Sequence, residues 1–396
     1  MHVDVLVVGG GPAGLIAARD VARHGHEVLV IEEHPEIGEP VQCSGLFSIR
    51  GLKRLEVNLP KRAIAGVIRG GRFFSPGGEK FEAYSKLDRA YVVERRLFDK
   101  ELAKEAAMAG ARITLKTKAI GLRIADKAKV VLESGGKREV VEAEVVIAAD
   151  GVRSRVASLL GLKTPRKIVA AAQVEVESAR VEDDVAELYF GREWAPNFYA
   201  WLLPKGEVYE VGVGVRQGKY PPRVYLERFM REHPIAKQKI TGRSQVEYNM
   251  GGFPVASPQD TFAERVLLVG DAGGFVKAST GGGVITGGIS ARLAAKAACL
   301  AIEEKNFSSQ FFRENYEKAW KAELGRELEV HELIRKIFDS LSDEELDALF
   351  KIAIEEDIAS LMVQYPDTDR PYDFFMQLLE KERFVRAIER FISLEL

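Results

Sequence analysis

The stretch VDVLVVGGGPAG, Val3–Gly14, with the LIAARDVARHG and EVLVIEE that follow it, decides the fold. Residues 3–8 form a short continuous apolar run, as expected of a strand buried on both faces of a parallel sheet. Gly9, Gly11 and Gly14 then supply G-x-G-x-x-G around Ala13. Glycines at this spacing allow a tight turn, approach of the backbone to a pyrophosphate, and close helix–strand contact. The helix that opens here and closes near Gly25 offers free N–H groups and a positive dipole end to an anion. Glu32 ends the next strand, where a carboxylate accepts hydrogen bonds from ribose hydroxyls. Together these elements make a βαβ unit of about 30 residues. In that setting the glycine run predicts a dinucleotide site.

The rest of the composition narrows the field by exclusion. A chain of 396 residues, 46% hydrophobic and 29% charged, suits two or three structural units with a large core. A net charge of -2, without a cationic block, gives no electrostatic case for nucleic acid. The two cysteines, Cys43 and Cys299, cannot build a disulfide framework, which fits a reducing, cytoplasmic compartment. Cys299, inside an apolar helix, reads as a packing residue. The six histidines lack metal-ligand spacing, and no G-x-S-x-G occurs, so neither a metal centre nor a serine hydrolase is expected. The N-terminus reads as a strand rather than a secretory segment, and no run reaches the roughly 18 apolar residues of a membrane span. Any membrane contact is therefore expected to be peripheral.

The pattern along the chain is interleaved. Residues 63–85 alternate apolar and polar around glycine and proline and read as inserted antiparallel strands. A helix is expected over 95–110, a hairpin around Ser134–Gly136, and mostly strands over 165–255 with one helix near 221–234. A strand and second glycine loop follow at 265–288, then a helix over about 284–304 and charged amphipathic helices to the end. The expected fold is α/β: a discontinuous Rossmann-like nucleotide domain (1–62, 86–164, 256–305), a β-rich substrate domain (63–85, 165–255) and a helical region (306–396).

Two further strand ends bear on the cofactor. AEVVIAADGVRSRV places Asp150-Gly151 at one, followed by Arg153 and Arg155; RVLLVGDAGGFVKASTGGGVITGG places Gly270-Asp271 at another. An aspartate there can accept from a ribityl hydroxyl. A helix opening after Gly281, Gly282 and Gly283 at Val284 can aim its dipole at the flavin edge where charge collects on reduction.

With these segments in this order, the first 300 or so residues resemble the para-hydroxybenzoate hydroxylase-like flavoproteins. The resemblance implies FAD, with Arg95 contacting the cofactor at the start of its helix and Ala119 offering a backbone contact to the adenine end. Aromatic hydroxylases and halogenases of this type usually read G-D-A-A-H-x-x-x-P; here Gly274 and Ala278 stand at the His and Pro positions. PNFYAWLLPKGEVYEVGVG, 196–214, instead resembles the P-x-x-Y-x-W-x-F-P-K…G-x-G signature of archaeal geranylgeranyl reductases, with Leu203 replacing Phe. GEPVQCSG resembles the same family's P-x-x-C-G segment, with Ser44 for Gly.

The resemblance implies that Cys43, Ser44 and Gly45 line the flavin pocket, and that Tyr199, Trp201 and Pro204 wall an isoprenoid trough. Such a substrate offers only hydrocarbon and π bonds to recognise. It further implies reduction of geranylgeranyl chains of archaeal lipids, with Cys43, Tyr199 and Trp201 at the reacting centre. The proton donor stays open among Cys43, Tyr199 and water, and the electron donor among NAD(P)H, ferredoxin and others. The alternatives are a monooxygenase or halogenase on the same fold, a flavin-bearing lipid carrier, and a reductase of menaquinone side chains.

Overall fold

In the computed structural model, which describes residues 1–177, 184–240 and 245–391, the opening strand His2–Val8 lies inside an eight-stranded sheet. It pairs in parallel with Val28–Ile31 on one side and Lys137–Ala148 on the other, and Arg112–Thr114 and Val266–Leu268 continue the parallel order outward. One face is covered by the helices Pro12–Arg23, Arg95–Ala109 and Val284–Glu304, packed through Leu15, Ile16, Phe98, Leu102 and Ile289. The other is covered by strands Thr117–Ile124 and Ala128–Ser134, which pair with each other, the second also pairing antiparallel with the N-terminal half of Lys137–Ala148. Gly135 and Gly136, both at positive φ, make the two-residue turn between Ser134 and Lys137. Gly110, at φ +111°, ends the helix Arg95–Ala109.

The helix Val284–Glu304 is long and apolar enough to cross a membrane, although Arg292 and Lys296 interrupt its apolar sequence. Its mean hydropathy qualifies where a count of consecutive apolar residues does not. Of its most apolar window 72% is buried, largely against Pro12–Arg23, so this helix is a core element of the nucleotide fold.

The second sheet has seven strands, in the order Gln245–Pro254, Ile168–Glu177, Val208–Val215, Ala200–Lys205, Val185–Tyr189, Gly70–Phe74, Lys80–Tyr84. Its pairings are antiparallel except Val185–Tyr189 with Gly70–Phe74, which is parallel, a departure from the all-antiparallel expectation. A second departure concerns the first of the inserted strands expected over 63–85, which does not join the substrate sheet. Leu46–Ser48 is a strand, and it joins Ala90–Val93 and Ile64–Ile68 in a separate three-stranded sheet. This small sheet packs directly on the large one: a Cβ on Gly66 would stand 2.8 Å from the Pro204 carbonyl oxygen. Alternation in sequence reveals strands but not which sheet they join.

Helices fill the chain from Ser309 onward. Arg326–Ser340 and Asp343–Glu355 bring Phe338 and Phe350 against Phe73 and Phe81 of the seven-stranded sheet and Phe190 just beyond its strand Val185–Tyr189. The second of them starts on a capping box formed by Ser342 and Glu345.

Candidate functional site

The first glycines sit where the backbone turns tightly and packs closely. At Gly9, φ +107°, a Cβ would lie 2.3 Å from the Ala149 carbonyl oxygen; at Gly14 it would lie 2.0 Å from the Gly9 carbonyl oxygen. At Gly11 nothing lies within 4 Å, so the first turn of Pro12–Arg23 faces open space on the side where a pyrophosphate has to sit. Ala13 packs beside Gly270, joining this loop to the second glycine segment.

Glu32 accepts from the Gly10 N–H (2.7 Å) and, through its other oxygen, from the His34 N–H (2.8 Å). Its Oε1 also meets His34 Nδ1 (2.6 Å), so the carboxylate is fixed at the cradle with a lone pair left on Oε2 for a ribose hydroxyl. Thr117 donates to the Glu32 carbonyl (2.8 Å), which places the strand of Ala119 beside this adenine end; the Ala119 side chain itself is in the core.

Asp150 and Asp271 part company. The Asp150 carboxylate accepts from Ser154 Oγ (2.6 Å) and the Val156 N–H (3.0 Å), so it builds its own loop. Arg153 is exposed, and Arg155 donates to the Ile120 carbonyl (3.2 Å). Asp271 instead faces Gly283: a Cβ there would meet its Oδ1 at 3.0 Å. Burial pushes the Asp271 carboxyl up to about 6, against the pull of Arg95.

Arg95 is clamped by Asp99 (3.0 and 2.8 Å), and its guanidinium also reaches the Cys43 thiol. Burial alone would lower its pKa, but Asp99 and Cys43 outweigh that and raise it. Gly45, at φ +72°, holds the Cys43 loop against Val93: its would-be Cβ stands 2.1 Å from the Val93 carbonyl oxygen, and Val93 N–H donates to Gly45 O (2.9 Å). Ser44 is half-buried between them. Cys43, Arg95, Asp271 and the 281–284 loop therefore share one region. The open face at Gly11 and an aspartate free to accept suit a bound FAD, which these residues and the Gly9–Gly14 cradle would hold.

Three anchors fix the second glycine loop from the far side. Lys277 pairs with Asp369 (2.6 Å), Ser279 Oγ meets His331 Nδ1 (2.6 Å), and Tyr199 donates its hydroxyl to the Thr280 carbonyl (2.6 Å). Burial, reinforced by Lys277, lowers the His331 pKa to about 3, so this imidazole is neutral and structural. Burial raises the Tyr199 phenol, and its proton is committed to Thr280; Tyr199 thus positions the loop and is a poor acid. Tyr199→Phe is expected to lower stability by about 1 kcal/mol through the lost hydrogen bond and to leave FAD stoichiometry intact. Thermal melts and flavin absorbance of the purified variant check both.

Tyr199 continues into an aromatic wall. Its ring is 5.9 Å from Phe190, which is 5.6 Å from Phe338 and 5.7 Å from Phe350. Trp201 lies T-shaped to Tyr199 at 6.1 Å and covers Gly212, whose Cβ would fall 2.1 Å from the indole. Trp201 is buried against Ile68, Val92 and Leu203, so it backs the wall where Tyr199 forms its surface. Pro204 departs from expectation. It pairs with Tyr209, and the alternation along Ala200–Lys205 puts it on the face of Ala200 and Leu202, opposite Tyr199 and Trp201.

On the Trp201 face the structure also gathers residues that the sequence reading did not single out. Lys205 Nζ pairs with Glu175 and, at 3.1 Å, with Glu94; Glu210 lies 3.9 Å away. The clue was available in YEVGVGV, where alternation puts Glu210 on the same inward face as Gly212 and Gly214.

Comparison with known proteins agrees with this geometry. The FAD binding domain family matches residues 2–304. The chain is 40% identical to the digeranylgeranylglycerophospholipid reductase of Methanocaldococcus jannaschii over 87% of this chain and 89% of that protein. It is 38% identical to the enzyme of the same name from Methanosarcina acetivorans, over 87% of each. The crystal structure of a geranylgeranyl bacteriochlorophyll reductase-like protein from Thermoplasma acidophilum superposes with a TM-score of 0.87 at 32% identity, covering 99% of both chains. A cradle shaped for a dinucleotide, a second glycine loop facing Asp271, and matches of this extent lead to one assignment: the chain belongs to the FAD binding domain family and, within it, to the digeranylgeranylglycerophospholipid reductase group.

Proposed function

We propose that this protein is an FAD-dependent reductase that saturates C=C bonds of geranylgeranyl chains in archaeal membrane lipid synthesis. The observation that carries the reading is the junction of two surfaces. The aromatic wall Tyr199–Phe190–Phe338 meets the second glycine loop at Thr280, so a hydrocarbon chain lying on the wall ends at the cofactor. FAD, when bound and reduced, supplies a hydride at N5. The chain's own contribution is to hold the alkene against the Tyr199 ring, exclude water with Phe190 and Phe338, and offer π faces to positive charge developing on a tertiary carbon. Cys43, beside Arg95, lines the cofactor side of the same space.

A monooxygenase reading is disfavoured at Gly274. Its φ is +81°, and a Cβ there would lie 2.5 Å from Pro165 Cγ, so the histidine usual in hydroxylases has no room. The prenyl lipid is the substrate, reducing equivalents come from NAD(P)H, a ferredoxin or another donor, and any contact with the membrane is peripheral.

The test is direct: purified protein with dithionite-reduced FAD should add two hydrogens per double bond to geranylgeranyl lipids, read by mass spectrometry. No mass gain, or an oxygenated product, sinks the reading. Offering menaquinone in parallel separates the quinone variant. Cys43→Ala is expected to keep full FAD occupancy and lose at least about tenfold in turnover, about 1.4 kcal/mol; unchanged turnover would make Cys43 a packing residue.

A further inference from the structure

Arg335 brings a buried charge to the aromatic wall. It lies on the helix Arg326–Ser340, three residues before Phe338, and is 5% exposed. Its guanidinium stands 5.5 Å from the Phe198 ring and 5.9 Å from the Phe338 ring. Phe198 is stacked on Tyr199 (4.3 Å) and Phe338 on Phe190 (5.6 Å), so the cation touches both the strand side and the helix side of the wall. Its charge is felt at the Tyr199 hydroxyl.

This charge is not balanced locally. Asp339, one turn further along the helix, lies 2.9 Å from Arg335, and the same carboxylate pairs with Arg216, directly after the strand Val208–Val215. Neither arginine meets another acid among the described residues. Glu332, three residues before Arg335, is taken by the Ser257 N–H (2.9 Å) and by Lys336 (3.1 Å). Two guanidiniums on one carboxylate leave one positive charge in excess. Burial lowers the Arg335 pKa and Arg216 adds to the effect, against the pull of Asp339. The faces of Phe198 and Phe338 offset part of that cost.

The donors of Arg335 are free as well. Its Nε and Asp339 Oδ1 are out of line for a hydrogen bond, and both are enclosed without a partner, as is Arg216 Nε. Arg335 Nη1 and Nη2 donate to nothing among the described residues and, unlike Nε, are not enclosed, so they face accessible space. Beside them Tyr199, Phe190 and Phe338 are only half-buried and offer apolar surface. A buried fork of unused N–H groups is costly unless a ligand accepts from it.

We propose that Arg335, with Arg216 behind it, forms a subsite for a phosphoryl anion and seats the phosphate of a prenyl lipid whose hydrocarbon lies on Phe190, Tyr199 and Phe338. This rests on the reductase reading above. The planar guanidinium matches phosphate oxygens two at a time. The anion cancels the positive charge that Asp339 leaves in excess. A head group held there also sets the register of the chain, and so decides which double bonds reach the Thr280 end of the wall.

Calorimetric binding to the protein carrying oxidised FAD tests the subsite without turnover. Wild type should hold a geranylgeranyl lipid phosphate at least about tenfold more tightly than the same lipid ending in a hydroxyl. Arg335→Met should erase that preference, and the loss should fall on the phosphate lipid. Arg216 still neutralises Asp339 in this variant, so the fold should hold; melts and flavin stoichiometry check it. Arg335→Gln keeps N–H donors without the charge and should lose the preference too, so the outcome does not hang on one variant folding. Inorganic phosphate is the second arm: it should compete with the phosphate lipid but bind more weakly. Equal affinities of wild type for the two lipids overturn the proposal, as does a preference that survives in both variants. Inorganic phosphate that binds as tightly as the lipid phosphate overturns the lipid assignment. Equal losses for both lipids in the variants mean packing alone and overturn it as well. Selective binding of the phosphate lipid by a wild-type protein that reduces no prenyl lipid condemns the reductase reading and leaves the subsite standing.

Discussion

Gly14→Ala should lower FAD affinity by at least about two orders of magnitude, about 2.7 kcal/mol, and also destabilise the FAD-free protein. The added methyl would stand 2.0 Å from the Gly9 carbonyl oxygen and 3.2 Å from Ala149 Cβ. Both are held in the central sheet, Gly9 by its N–H to Ile31 O (2.8 Å) and Ala149 by its N–H to Val8 O (2.8 Å). Neither can yield, so the helix Pro12–Arg23 has to move outward, and its free N–H groups leave the pyrophosphate position. Overpacking of this kind costs about 1–3 kcal/mol in folding. Gly11→Ala is the contrast, because no atom lies within 4 Å of its would-be Cβ. It should leave the FAD-free melting temperature unchanged while its methyl obstructs the ligand. Flavin fluorescence titration and melts of both FAD-free variants check the pair. Near wild-type affinity in Gly14→Ala would mean that the cradle is not the FAD site.

Lys205→Met should cost about 3–5 kcal/mol of stability at neutral pH, the range for removing one partner of a buried ion pair. Lys205 is 8% exposed and is the cation common to Glu94, Glu175 and Glu210. Without it, the desolvated carboxylates repel one another and each favours its protonated form. Their folded-state pKa values then rise above the unfolded values, so the folded state binds more protons than the unfolded one. Stability is highest below the unfolded values and is lost as the pH rises. The deficit of Lys205→Met should therefore shrink between pH 7 and pH 5.

Glu210 imposes the same sign on the wild type. Its folded value of about 8 exceeds the ordinary 4.5, so its contribution is lost as the pH rises across that window. Glu210→Gln should remove about one proton from the linkage between those limits. Denaturant melts of the three proteins at several pH values decide this. A pH-independent deficit in Lys205→Met would mean that the acids are not electrostatically coupled.

The two predictions differ in what made them visible. Gly9, Gly11, Gly14 and Glu32 fall within one βαβ unit, where local geometry follows from spacing: an apolar run, a turn that only glycine can make, a helix, a second strand. Those residues alone determined the nucleotide fold and the glycine cradle at its first turn. The wall residues Tyr199 and Trp201 were legible through the resemblance of 196–214 to a family signature; strand alternation adds only that they share a face. The same alternation, applied strictly, would have turned Pro204 away. Asp150 and Asp271 look equivalent as strand-end aspartates, and the difference lies in which of them finds Ser154 and the Val156 N–H nearby.

The acid cluster was out of reach of spacing. Glu94, Glu175, Lys205 and Glu210 come from four elements, brought together when the small sheet and the helix Arg95–Ala109 close over one face of the seven-stranded sheet. The sequence by itself determined the glycine cradle, and through a family resemblance it singled out the aromatic residues Tyr199 and Trp201. Only the tertiary structure decided which acid is buried without a full share of the one cation, because desolvation and Coulomb coupling depend on distances between elements far apart in the chain.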